Sequence, residues 1–214
     1  MSKELKIIIG IGLVVIVGGI ILFTQGNPQP VEPSKSADSK SLVREGSHMT
    51  GKLDAKVTIV EFGDYECPAC ATAEPIIERL RQDYKDNANV NFVFRNFPLS
   101  QHQKALTSAE AAEAAGEQGK YWEMHDKIYL NQNAWVGTGD HQAIFLSYAK
   151  DIGLDVAKWK QSWEQNKFAD VIKTDQSDGV SLGVIATPTF FINGEKTDGF
   201  KYDNLKSIIE SKLK

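Results

Sequence analysis

Only two cysteines occur in the 214 residues, so one chain supplies neither a disulfide-dense scaffold nor the thiolates of a four-cysteine zinc or iron–sulfur site. Proline is sparse, at seven, and seventeen glycines are far from a collagen-like composition. Basic residues are not in excess either. The 24 Lys plus Arg against 28 Asp plus Glu leave a formal net charge of -4, which supplies no sequence-wide basic field and argues against nucleic acid as a main partner. What remains is 42% hydrophobic and 24% charged, an ordinary globular composition with room for one good-sized domain.

Charge is absent altogether from Ile7 to Phe23, just after Lys3 and Lys6. As a helix this run is roughly 26 Å long, close to the roughly 30 Å hydrocarbon thickness of a bilayer. It has no polar face, which argues against a buried helix of a soluble domain. The run also exceeds the apolar core of about 7–15 residues in a secretory signal, and no Ala-x-Ala follows it. Residues 1–23 are therefore read as a transmembrane anchor in preference to a signal segment. No Lys or Arg follows until Lys35, so the positive-inside rule keeps the N-terminus in the cytoplasm. The expectation is a single-pass protein of the cell membrane with its domain on the extracytoplasmic side. Residues 24–49 carry Pro28, Pro30 and Pro33 and then a Ser/Lys/Asp stretch, and read as a flexible linker. Within it, Gly46-Ser-His-Met49 looks like the scar of a cleaved expression tag, but a tag between an anchor and its domain would be odd, and the segment is taken as native.

The domain is expected over residues 50–214. Val57–Phe62 is a β-branched run of strand length, and Val90–Arg95 is a second. Between them, from Cys67, apolar positions Ile76, Ile77, Leu80 and Tyr84 fall on one helix face. Strand, helix and strand make a right-handed parallel unit. A helical block follows at about 100–182. Then come a strand at Pro188–Ile192, a hairpin turn at Asn193-Gly194, a return strand and an amphipathic helix over Tyr202–Leu213.

Cys67-Pro-Ala-Cys70 thus follows a strand and opens a helix. A helix N-terminus offers unpaired N–H groups and a positive dipole end, which favour a thiolate at Cys67. Pro68 falls in the first turn, where its missing N–H costs nothing. Ala69 supplies no cation, so the thiolate is expected to rest on backbone amides, opposed weakly by Asp64 and Glu66. Cys70, one turn on, lies within reach of Cys67 and can resolve a mixed disulfide. A structural disulfide closing so small a loop would be a poor staple. Zinc would need two further ligands, and His48, His102, His125 and His141 contain no pair at ligand spacing. No metal is assigned, although two thiols that bind a soft ion such as Cu(I) remain an alternative.

Glu61-Phe-Gly-Asp-Tyr-Glu-Cys67-Pro-Ala-Cys70, with Val184-Ile-Ala-Thr-Pro188-Thr-Phe-Phe-Ile-Asn-Gly194, resembles the DsbA-like thiol:disulfide oxidoreductases, and more closely their membrane-tethered bacterial branch. Asn96-Phe-Pro-Leu99 with His102 is similar to the segment after that branch's second strand. The resemblance covers about residues 50–214 and implies an α/β thioredoxin-like fold with an inserted helical block, here preceded by the N-terminal transmembrane helix. It implies Cys67 as nucleophile and Cys70 as resolving thiol, with Pro68 and Ala69 at the helix N-terminus of the active site. It also implies a cis Thr187–Pro188 peptide facing them, whose exposed backbone pairs with substrate. Glu61 matches an acidic residue beneath the family's active site. It is also the one charge in an apolar strand, which points to a buried proton carrier.

What the family implies of function is formation of disulfides in exported proteins by exchange, with a quinone-linked membrane partner for reoxidation. The redox group is the cysteine pair itself, so no bound cofactor is expected. Two departures leave the direction open between oxidase, reductase and isomerase: Pro68-Ala69 lacks the histidine of the best-known member, and Thr187 occurs before the cis proline of isomerase-type relatives. A copper chaperone that uses the same two cysteines is the alternative from another class. Of the lesser candidates, His102 reads as a solvated helix end, Asp175 and Asp178 as solvated carboxylates, and Trp122, Trp135, Trp159 and Trp163 as core of the helical block.

Overall fold

A computed structural model of the chain describes residues 42–214. The expected anchor at 1–23, and the linker up to residue 41, lie outside the described residues. Among the described residues no helix is long and apolar enough to cross a membrane.

Five strands form one sheet: β1 (His48–Met49), β2 (Val57–Gly63), β3 (Val90–Asn96), β4 (Thr189–Ile192) and β5 (Glu195–Lys196), in the order β1-β3-β2-β4-β5. β2 and β3 run parallel, in register from Val57 opposite Val90 to Gly63 opposite Asn96, and the other pairings are antiparallel. β2 and β3 are buried on both faces, which is why each reads as a near-continuous run of β-branched and aromatic residues rather than an alternation. Asn193 and Gly194 both take positive φ (49° and 86°), as a tight two-residue hairpin between β4 and β5 demands.

Helix α1 (Pro68–Tyr84) crosses from β2 to β3. The helical block is α2 (Ala105–Gly116), α3 (Tyr121–Leu130), α4 (Gln132–Trp135), α5 (His141–Asp151), α6 (Val156–Glu164) and α7 (Ala169–Ser181), and α8 (Tyr202–Leu213) closes the chain. One sheet face, with Val57, Ile59, Val90 and Phe92, packs on Ile77 and Leu80 of α1 and on Leu205 and Ile209 of α8. The other, with Val60, Phe62, Val93 and Phe191, meets Phe97 and Val184, while Gly179 of α7 lies against the Phe62 and Phe97 rings. A third cluster fills the helical block. Trp135 and Trp159 are fully buried in it and Trp163 nearly so, and each donates its indole N–H to a backbone carbonyl, of Ile128, Ala111 and Thr107 respectively.

Two expectations need correction. The linker assigned to residues 24–49 ends earlier, because its last residues belong to the fold. Leu42 is 2% exposed in the core, Arg44 pairs with Asp178, and His48–Met49 add a strand to the edge of β3. The tag-like Gly46-Ser-His-Met49 is thus structural: His48 stacks on Tyr121 at 3.5 Å and meets Glu113 at 2.7 Å. Nor are Asp175 and Asp178 solvated. Both accept from Arg95, fully buried in β3, at 2.6 Å each, and the same guanidinium donates to the Leu42 carbonyl at 2.8 Å. The sequence pattern misses this because the partner cation stands eighty residues away, inside a strand.

Candidate active site

Cys67 is the N-cap of α1, with extended backbone (φ -72°, ψ 122°), and Pro68 occupies the first helical position. The turn before it is tied down by its own acidic residues. Asp64 accepts from the Glu66 N–H at 2.8 Å, from the Leu99 N–H at 2.8 Å and from His102 at 2.7 Å, while Glu66 accepts from the Lys104 N–H at 2.5 Å. His102 is therefore a buttress of the active-site turn and not a solvated helix end. Gln132 of α4 completes the clamp, donating to the carbonyls of Tyr65 and Cys67 at 2.8 and 3.0 Å.

The two thiols are not joined; Cys67 is 6% exposed and Cys70 not at all. The Cys67 pKa is lowered to about 5. Its largest cause is the hydrogen bond from the Cys70 thiol; burial opposes it, and the Thr187 side chain and the amides of Cys70 and Ala69 add to it. The expectation that backbone amides carry the thiolate is corrected on this point: the Cys70 thiol is the main donor. Cys70 is driven the other way, well above its usual range, by burial first and then by its hydrogen bond to Cys67 and the charge of Glu61. One thiol is favoured as a thiolate and the other is held protonated.

Opposite them the Thr187–Pro188 peptide is cis, and the Cys67 thiol donates to the Thr187 carbonyl at 3.4 Å. The Thr187 hydroxyl is buried with no regular hydrogen bond among the described residues, so it is free to turn toward a thiolate. Two residues earlier, Ile185 is 87% exposed. Glu61 lies beneath the pair, 5% exposed. Burial holds its carboxyl well above the usual carboxylate range, the charge of Glu74 pushes in the same direction, and Arg81 opposes both. An end-of-strand carboxylate reaching solvent is thereby excluded.

Around this centre stand buried groups that sequence reasoning passed over. His125 bridges the Tyr65 hydroxyl at 2.9 Å and Glu74 at 3.2 Å, and Arg81 pairs with Glu74 at 2.8 Å. Glu74, His125 and Asp126 are close enough together to hold an ion, but the Arg81 guanidinium already sits on Glu74 and Asp126. Nothing in the pattern announces this network. Glu74 and Arg81 are polar residues on a helix, ordinarily exposed, and only the packing of α3 against α1 buries them.

A parallel βαβ unit with two cysteines at its helix N-terminus, a ββα unit that brings a cis proline opposite them, and helices inserted between the two define a thioredoxin-fold dithiol protein. The family model described as Thioredoxin matches residues 43–211. The chain belongs to that family, within which it is DsbA-like. It is 27% identical over 215 residues to the "Probable disulfide bond formation protein D" of Bacillus anthracis, covering 98% of this chain and 95% of that one. The crystal structure of oxidised BdbD from Bacillus subtilis is similar at a TM-score of 0.70 and 28% identity, covering 79% of this chain and 94% of that one. Higher identity, 40% over 154 residues, is found with the Na(+)/H(+) antiporter NhaA 1 of Salinispora arenicola; the match covers 71% of this chain and 22% of that protein. The chain thus corresponds to about a fifth of the length of that relative.

Proposed function

We propose that this protein is an extracytoplasmic thiol:disulfide oxidoreductase, anchored in the cell membrane by residues 1–23, that forms disulfides in exported proteins through Cys67 and Cys70. The observation that carries the reading is the split between the two thiols: Cys67 lowered to about 5 and Cys70 buried and raised. At neutral pH Cys67 is a thiolate wherever the pair is reduced, which stabilises the dithiol form relative to the disulfide and makes the disulfide an oxidant. A substrate thiolate attacks Cys67 Sγ, the Sγ–Sγ bond breaks, and its electron pair leaves on Cys70. The substrate's second thiolate then attacks the mixed disulfide and carries its own disulfide away, which leaves the protein reduced.

Each other residue takes a part in this cycle. The backbone of Thr187, turned out by the cis peptide at Pro188, pairs with the substrate strand, and Ile185 beside it offers an apolar contact to unfolded chains. Pro68 and Ala69 shape the helix end whose amides face Cys67. Glu61 carries the proton that Cys70 gains and loses. The cysteine pair is the whole redox group, and a quinone-linked membrane partner reoxidises it. The relative named for disulfide bond formation supports the oxidase direction.

The test is the equilibrium reduction potential of the Cys67–Cys70 pair, titrated against glutathione with metal excluded. A value near about -120 mV is expected, and one near about -270 mV would mean a reductase instead. Failure to form the intramolecular disulfide would overturn exchange altogether and leave Cu(I) binding by the pair as the function to measure.

A further inference from the structure

The exchange step leaves a negative charge on a sulfur with nearly no access to water. Cys70 is fully buried, and the bond that breaks when Cys67 is attacked expels Cys70 as a thiolate. A leaving group in such a place needs a donor that is already aimed at it, because solvent is not there to supply one. The backbone N–H of Asp64 is one such donor, since it favours the charged form of Cys70.

A second candidate is a tyrosine hydroxyl from the same core cluster as Cys70. Tyr129, on α3 one turn beyond His125, is 2% exposed, and among the described residues its hydroxyl has no hydrogen-bond partner. A buried hydroxyl left unpaired costs stability, so an idle one calls for an account. Its location supplies one. A methyl group on Gly63 would come within 2.9 Å of the Tyr129 oxygen and 2.4 Å of the Phe94 ring. Gly63 is thus the residue whose missing side chain lets the phenol in. It ends β2, two positions after Glu61 and so on the same face of the sheet, and it immediately precedes Asp64. The hydroxyl therefore lies under the active-site turn, on the side where Glu61 and the Asp64 amide meet Cys70. The two groups feel each other. After burial, the charge on Cys70 is the strongest influence that holds the Tyr129 phenol well above its usual pKa, so it stays protonated and a donor through the working range.

We propose that the Tyr129 hydroxyl is a reserved hydrogen-bond donor to Cys70, engaged when the mixed disulfide forms and idle when Cys70 is a thiol. The assignment rests on the exchange function proposed above and deepens it. In the step itself, the attacking sulfur bonds to Cys67 Sγ and the Sγ–Sγ bond breaks with its electron pair on Cys70. Tyr129 keeps its proton and donates a hydrogen bond to that sulfur until Cys70 is protonated through Glu61. In the reverse direction the same bond holds the Cys70 thiolate as it attacks the mixed disulfide.

The experiment is Tyr129→Phe in the full chain, which removes one oxygen from the packed core. Reduction of the Cys67–Cys70 disulfide by dithiothreitol, followed by stopped-flow tryptophan fluorescence, should slow about tenfold, equivalent to 1.4 kcal/mol of transition-state stabilisation. The equilibrium constant with glutathione should hold within about twofold, because in both end states Cys70 is a disulfide sulfur or a thiol and neither draws on the donor. The pH profile of Cys67 alkylation should also be unmoved. Unchanged reduction rates would overturn the proposal. So would a rate loss accompanied by a matching shift of the equilibrium constant or of the Cys67 profile, which would mark a packing effect. The loss should persist in a Glu61→Gln background; if it vanished there, the hydroxyl would serve Glu61 and not Cys70. If dithiothreitol fails to reduce the pair even in the unaltered chain, it is the exchange function that falls, a result distinct from any of these.

Discussion

At Cys67 five influences compete, and their ranking has measurable consequences. The Cys70 thiol is the largest stabiliser of the thiolate, burial opposes it, and the Thr187 side chain and two helix amides follow. Removing the main donor with Cys70→Ala should raise the Cys67 pKa from about 5 by about one to two units, the range a hydrogen bond to a charged group commands. The rate of iodoacetamide alkylation against pH measures it, and a midpoint that stays near 5 would transfer the credit to the helix amides. The same shift couples to stability. An unfolded thiol titrates near about 8.5, so from about pH 5 up to there the unfolded chain holds a proton that folded Cys67 has released. The stability of the reduced protein relative to the oxidised one should therefore climb across that window and be lost as pH falls through 5. A difference in melting temperature between the two forms that is flat from pH 5 to 8 would contradict it. Cys67, Cys70, Pro68 and Glu61 were all legible in the sequence, because strand, turn and helix start bring them together locally. His102, Gln132 and Tyr129 were not: His102 matched a family segment but read as a helix end, and nothing local marks Gln132 or Tyr129.

Among the elements, β3 and α7 illustrate how a helix of unremarkable sequence is fixed in place. Arg95, near the end of β3, is met by Asp175 and Asp178 of α7, with Arg44 also on Asp178. Burial alone pushes the Asp175 carboxyl up, Arg95 pulls it down, and the net direction is still upward, so the pair is held in a poorly solvated place. Arg95→Met should cost about 3–5 kcal/mol in chemical denaturation, because it strands the Asp175 carboxylate and the Leu42 carbonyl, whereas Asp178 keeps Arg44. Asp175→Asn in the same chain should restore part of that loss. A penalty below about 1 kcal/mol would show that water reaches these groups and that the ion pair holds nothing together. The sequence placed α7 inside a helical block at about 100–182; it said nothing of which way the carboxylates turn.

For the molecule as a whole, the boundary of the folded unit decides what is a fair sample of it. Residues 42–49 close the cluster on the Val60, Phe62 and Phe191 face of the sheet, pair with the edge of β3 and lock His48 between Glu113 and Tyr121. Burying Leu42 alone is worth roughly 1.5–3 kcal/mol. A chain that begins at residue 50 should melt below one that begins at residue 42, by about 3–12 °C if only Leu42 counted, since about 1 kcal/mol moves a domain of this size by about 2–4 °C. Equal melting temperatures would mean that the segment rides on the fold without supporting it. Its composition hid this role, for one leucine and one histidine among Ser, Gly and charged residues carry no period.

What the sequence determined by itself is local: the order of strands and helices, the placing of two thiols at a helix N-terminus and the glycine-bearing hairpin. Each follows from side-chain periodicity, capping and turn chemistry within a dozen residues. The tertiary structure alone decided which polar groups were taken out of water and beside what. The Cys67 pKa is lowered by a neighbour that packing buries, Glu61 feels the charge of Glu74, and Arg95 finds carboxylates eighty residues on. Charge in a low-dielectric interior acts on whatever the fold brings near it, and separation along the chain sets no limit on that.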